Sequence, residues 1–123
     1  MRRHPRLLHF SREHHLALRL AKHASAAGDS LPLAGVADEI AAARDELLRH
    51  FAAEESELLA ELDARQLTAL RQRLLAEHRE LSHLLAHPDD PARLQRLGEL
   101  LRGHVQFEER ELFPALQAGW PEH

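Results

Sequence analysis

Cysteine and tyrosine are both absent from the 123 residues. Without cysteine the chain has no disulfide, no thiolate metal ligand and no thiol nucleophile. Without tyrosine it can store no tyrosyl radical. Glycine and proline are few, at 5 and 6, aromatic residues make up only 4% of the chain, and β-branched residues are rare, so little here favours strands. Leucine and alanine dominate instead, which predicts an all-α fold. No apolar run reaches the length of a signal peptide or membrane span, so a cytoplasmic protein with no membrane role is expected. Neither sign of charge prevails: the formal charge is -4 with histidines neutral, and acids and bases are interspersed. No field therefore points to nucleic acid or anionic lipid. The basic stretch MRRHPR at the start reads as a short solvated arm. A chain of this length makes one domain with a real core.

Breaks in the pattern divide the chain into four helices. Ser11 is placed to cap the first, over about residues 11–27, with Phe10 as an N-terminal staple. The stretch GDSLPLAG then interrupts it. The second helix is expected over 36–62, the third over 66–86 and the fourth over 91–116. HPDDP, residues 87–91, is the sharpest turn, with Pro91 at a first helical position where no N–H is needed. Short connections make neighbours antiparallel, so the expected architecture is an up-down-up-down four-helix bundle. Pro114 is expected to kink or end the last helix, and Phe113, Leu116 and Trp120 to fold back over one end.

Histidine is what the sequence has in abundance, with 11 copies. HFAAEESEL at residues 50–58 and HVQFEEREL at residues 104–112 repeat one pattern, His-x-x-x-Glu-Glu-x-Glu-Leu. A histidine and a glutamate four apart share one side of a helix. Helical phase sets His14 on the arc of Leu7, Phe10, Ala17, Leu18 and Ala21, and His15 with Arg12, Arg19 and Lys22. His78 falls with Leu67, Leu74, Leu81 and Leu85, and His83 opposite them. His50 with Glu54 and His104 with Glu108 flank the apolar stripes of helices two and four. Each helix thus turns one histidine inward, and two turn a glutamate inward as well. His4, His9, His15, His23, His83, His87 and His123 read as surface residues.

One such histidine is more often a hydrogen-bonded core residue than a ligand, and one such glutamate is usually solvated. Six together change the balance. Two buried carboxylates without cations cost several kcal/mol each or protonate. A bound metal removes that cost, and imidazole plus carboxylate suits iron, zinc, copper or manganese.

His14, His50-Phe-Ala-Ala-Glu54, His78 and His104-Val-Gln-Phe-Glu108 reproduce the H…HxxxE…H…HxxxE pattern of hemerythrin-like, or HHE cation-binding, domains. The chain resembles that family over nearly its whole length, and SREHHLAL and HVQFEERELFPAL are similar to its small bacterial members. The resemblance implies an up-down bundle around a non-haem diiron centre, two Fe ions with a bridging oxo or hydroxo group. It assigns Glu54 and Glu108 as bridging carboxylates and His14, His50, His78 and His104 as terminal ligands. One departure matters: oxygen-carrying hemerythrins have a further histidine four residues after the one in the third helix, where this chain has Ser82. The iron near Ser82 is accordingly expected to be the more open. Ser82 either hydrogen-bonds an oxygen ligand there or simply fills space. Glu55 and Glu109 are expected in solvent or just behind the ligands, and Glu46, one turn before His50, is placed to orient that ring.

The expected function is a non-haem diiron protein that meets a small diatomic or peroxide ligand: O2, NO or peroxide. Sensing, peroxide or NO handling and iron handling all fit, with catalase-like disproportionation as the candidate activity. A histidine-rich cluster stabilises Fe(III) less than carboxylate-rich sites do, which argues against oxidation of unactivated C–H bonds. Two other readings stand: a metal-stabilised regulatory or interaction module without turnover, and a zinc-binding bundle. A signalling role would need a separate protein partner.

Overall fold

Proline opens the first helix. A proline at the first helical position gives up no hydrogen bond, and α1 runs Pro5–Ser25, with the His4 side chain accepting from the Arg6 amide at 3.2 Å. It therefore starts six residues before Ser11, which is no cap: its hydroxyl donates to Glu109 Oε2 at 2.7 Å. Phe10 is fully buried in the core. The basic start is not a free arm either. Arg3 donates to Gln117 Oε1 at 3.1 Å and to the carbonyl and Oε1 of Glu109, both at 3.0 Å. The computed structural model describes residues 2–121; His123 lies outside them.

α2 spans Leu33–Ala64, longer than expected at both ends. The break before it is only Ala26–Pro32, turned by Gly28 at φ 80. Gly35 stays inside the helix, at a cost of about 1 kcal/mol against alanine. At the far end Gln66 takes the left-handed conformation (φ 56), and the Leu67 amide reaches back to the Leu62 carbonyl at 2.9 Å. That closure normally uses glycine. α3 is Thr68–Leu85 and α4 Pro91–Phe107, the latter capped by the Asp90 side chain on the amides of Ala92 and Arg93.

The chain does not stop at Pro114. Residues Glu108–Leu112 form a π-helical stretch, and α5 follows at Phe113–Gln117. In a π turn each amide pairs with the carbonyl five residues back. Phe113 pairs with Glu108 in this way. Pro114 has no N–H for the carbonyl of Glu109, and Arg3 supplies the missing donor.

The helices form a closed antiparallel bundle in which α1 and α3 each pack against both α2 and α4. Gly98 lets α1 and α4 approach closely: a Cβ there would sit 2.3 Å from Ser25 Oγ and 2.7 Å from the Ala21 carbonyl. Buried side chains fall into two apolar clusters. One contains Leu20, Ile40, Leu47, Leu81, Leu97 and Leu101, and the other Leu7, Phe10, Leu58, Leu74, Phe107 and Phe113. The second holds Leu116 too, and Trp120 packs on it, so the expected fold-back over one end is present. Leu18, at the edge of the inward arc of α1, turns to solvent instead and is 42% exposed. Among the described residues no helix is long and apolar enough to cross a membrane.

Candidate metal centre

The buried polar and charged residues of the core are His14, His50, Glu54, His78, His104, Glu108 and Gln117, and the first six gather in one layer. Regular α-helix places His50 and Glu54 one turn apart, with His50 Nε2 3.1 Å from Glu54 Oε2. His104 and Glu108 straddle the entry into the π stretch, 3.3 Å apart. His14 Nε2 lies 2.7 Å from Glu108 Oε1, and His78 Nε2 2.9 Å from Glu54 Oε1. The helical phases read from sequence are therefore right: His14, not His15, points inward, and His78, not His83.

The other nitrogen of every ring meets a second carboxylate. Nδ1 of His14 faces Glu109 at 2.7 Å, that of His50 faces Glu13 at 2.5 Å, that of His78 faces Glu55 at 2.8 Å, and that of His104 faces Glu77 at 2.7 Å. The pattern is a repeat. Each hairpin carries Glu-His on its first helix, Glu13-His14 and Glu77-His78, and His-x-x-x-Glu-Glu on its second. The glutamate of each Glu-His holds the histidine of its own hairpin, whereas each Glu-Glu pair clasps the histidine of the other. Sequence reasoning picked out the second half of this repeat and missed the first. Glu13 and Glu77 have a signal, a glutamate immediately before an inward histidine, twice in the chain. Glu46 does not orient His50; Glu13, from the neighbouring helix, does. Of the histidines assigned to the surface, His9, His15, His83 and His87 are exposed, but His4 and His23 are half-buried, His23 paired with Glu39 at 2.7 Å.

Electrostatics follow from this crowding. Burial alone would lower the pKa of His50, but Glu54, Glu13 and Glu108 outweigh it and raise it to about 9. His104 is raised too, its burial overcome by Glu108, Glu54 and Glu77. Burial pushes Glu54 upward, yet Glu108 and the rings of His104, His50 and His78 hold it well below the ordinary carboxylate range. Glu108 goes the other way, raised by burial first and by the charge of Glu54 second. Without a cation, two facing carboxylates cannot both ionise freely. Glu77 and Glu109 both lie low despite burial, through His104 and Arg73 for the first and Ser11, His14 and Arg3 for the second.

Three of the inner atoms are buried without a hydrogen-bond partner: His104 Nε2, Glu54 Oε2 and Glu108 Oε2. Each lies close to another member of the layer but is not aligned with it, as expected of donors converging on a shared point rather than on one another. Such groups are costly unless something satisfies them. Two sets could hold an ion: His14, His50, Glu54 and Glu108, and Glu54, His78, His104 and Glu108, with ligand atoms in each set within 4.8 Å of one another. The two sets share both glutamates. The residues thus fit a metal.

A cavity gives access to the layer from the α1 side. About 410 Å³ in volume, it lies between α1, α2 and α4 and reaches His14, His50 and His104, but neither His78 nor Ser82 lines it. The Ser82 hydroxyl donates to the His78 carbonyl at 2.7 Å. Serine in a helix often bonds backward in this way. The Phe51 ring stacks on His78, with centroids 4.6 Å apart and planes 24° from parallel. The cavity thus opens on the His14–His50 side, and Ser82, expected beside the more open iron, is not on its wall. Glu46 lies on the cavity wall.

A family model described as the hemerythrin HHE cation binding domain matches residues 7–116. No curated protein and no solved structure matches the chain.

Proposed function

The chain belongs to the hemerythrin HHE cation-binding family, and from that premise we propose that it is a non-haem diiron protein that meets O2, peroxide or NO. The observation that carries this reading is the eightfold use of the four imidazoles. Every Nδ1 sits on an outer carboxylate, and every Nε2 turns toward Glu54 or Glu108. His14 and His50 would hold one ion, His78 and His104 the other, and Glu54 and Glu108 would bridge. Iron in such a site supplies redox chemistry toward small oxygen and nitrogen ligands.

The chain's own residues supply the rest. Glu13, Glu55, Glu77 and Glu109 accept the Nδ1–H of their rings, which fixes the tautomer and leaves each Nε2 lone pair for a metal. Leu47, Leu101 and Val105 keep the approach from the cavity apolar. That suits an uncharged diatomic or peroxide better than a hydrated anion. With only two carboxylates among six ligands, the donor set is less anionic than carboxylate-rich sites, which favours sensing or peroxide and NO handling over C–H oxidation.

Metal analysis tests the proposal. Protein purified from its native host, and protein loaded with Fe(II) without oxygen, should each hold about two irons per chain, and Glu108→Ala should lose them. Zinc in the native protein would turn the reading to a zinc bundle. Two irons with no response to O2, NO or peroxide, and unfolding on chelation, would turn it to a metal-stabilised regulatory module.

A further inference from the structure

The cavity is far larger than the ligands proposed above require. O2, NO or hydrogen peroxide is comparable to one water, whose share of liquid volume is ~30 Å³, so it would fill roughly a tenth of about 410 Å³. Volumes of ~300–1,000 Å³ belong to small-molecule sites, and apolar cavities of ~150 Å³ already admit benzene. The walls decide what kind of molecule fits. Ala17, Leu47, Phe51, Leu101 and Val105 are all buried and apolar. The polar groups on the floor, the rings of His14, His50 and His104, have their Nδ1 atoms committed to Glu109, Glu13 and Glu77.

In the metal-free protein no uncommitted group inside offers to neutralise a charged guest, because the rings of His50 and His104, whose pKa is raised, already face Glu13, Glu54, Glu77 and Glu108. The one arginine on the wall, Arg49, is exposed, and two acids, Glu13 and Glu46, share the wall with it. Below the floor lie Glu54 and Glu108. A buried charge without a partner costs several kcal/mol, so both anions and cations are disfavoured relative to a neutral molecule.

We propose that this cavity is a binding site for a neutral, mainly apolar organic molecule about the size of a substituted benzene, seated against His14, His50 and His104. The proposal rests on the metal reading in one respect: the guest then lies beside the metal-bearing rings. Its single polar group, a hydroxyl or hydroperoxyl, faces the floor, and its hydrocarbon part packs on Leu47, Leu101 and Val105. In this arrangement the site's substrate or effector class is organic, with the diatomic as co-ligand.

Benzyl alcohol is the probe, with benzoate and benzylammonium as its charged counterparts. Each is titrated into ¹⁵N-labelled protein, once loaded with zinc and once metal-free, and amide shifts are followed by NMR. Benzyl alcohol should give saturable shifts at Ala17, Leu47, Leu101 and Val105, and in the metal-free protein both charged probes should bind at least tenfold more weakly. Ala17→Phe fills the cavity and should weaken benzyl alcohol at least tenfold while zinc content and circular dichroism stay unchanged. Ala53→Phe, at a half-buried wall position, serves if the first variant misfolds. Shifts that do not saturate, shifts that persist in folded filled variants, or benzoate binding the metal-free protein as tightly as the alcohol would each overturn the proposal. Saturable binding in a protein that takes up no metal would support the cavity site and refute the metal reading, so the two failures are distinguishable.

Discussion

Glu13 and Glu77 do the same work in the two hairpins, each holding the Nδ1 of a histidine on the next helix. Only one of them is sheltered: the Glu13 side chain is 50% exposed and that of Glu77 15%. The same contrast runs through the site. On the α3 side, Phe51 stacks on His78 and Ser82 is tied to backbone. On the α1 side, a cavity opens onto His14 and His50, and of the other pair it reaches His104 but not His78. The bonding chemistry repeats, but the surroundings do not. On the function proposed above, the α1 side is the one that meets a ligand.

Removing what the halves share should have the largest effect. Glu54→Ala strips a carboxylate from both ion positions, so metal content should fall from about two per chain to less than one, as read by elemental analysis after dialysis. Retention of two ions would mean the halves do not share Glu54. Next comes the ring at the open side: His14→Ala should cost one ion, whereas His15→Ala, whose side chain faces solvent, should cost none.

The outer carboxylates sharpen the contrast further. Loss of such a partner typically weakens metal affinity about 10–100-fold. Glu77→Gln should fall toward the upper end and Glu13→Gln toward the lower, because solvent already competes for the exposed Glu13. Competition with a chelator of known affinity measures both, and equal losses would show that exposure is irrelevant. A smaller effect, a few-fold at most, is expected for Arg3→Gln, which reaches His14 indirectly, through Glu109 and through the Phe113 ring stacked on it.

The pH dependence of the metal-free protein is gentler still. The folded-state pKa of His50 is about 9 against an ordinary 6.5, so its contribution to stability is complete below about 6.5 and is lost as pH rises toward 9. His104 moves in the same direction. The urea midpoint of metal-free protein should therefore fall between pH 6.5 and 9, and His50→Ala should flatten the fall. Metal affinity should climb over the same interval, because each ion displaces protons from these rings.

Much of this was legible in the residues. Helix phase alone put His14, His50, Glu54, His78, His104 and Glu108 inside, because an advance of about 100° per residue fixes a face. Helix starts were less legible. Pro5 reads as part of a basic tail until it is seen as a first helical residue, and Ser11 looks like a cap until its carboxylate partner, 98 residues away, is known. Glu13 escaped notice because phase sends it to the rim, from which only a long side chain reaches His50. Glu46 was the wrong choice for the same ring because an orienting group need not lie on its own helix. The π stretch has no periodic signature; its traces are two adjacent buried residues, Leu112 and Phe113, followed by Pro114. The position of the cavity depends on packing among three helices, which no single-helix pattern encodes.

Locating the ions tests the central claim most directly. Crystals of iron-loaded protein, measured at the iron absorption edge, should show two anomalous peaks in the buried layer, one beside His14 and His50 and the other beside His78 and His104, with Glu54 and Glu108 touching both. A single peak there, or strong peaks only at exposed histidines such as His83 and His87, would contradict the shared two-ion site.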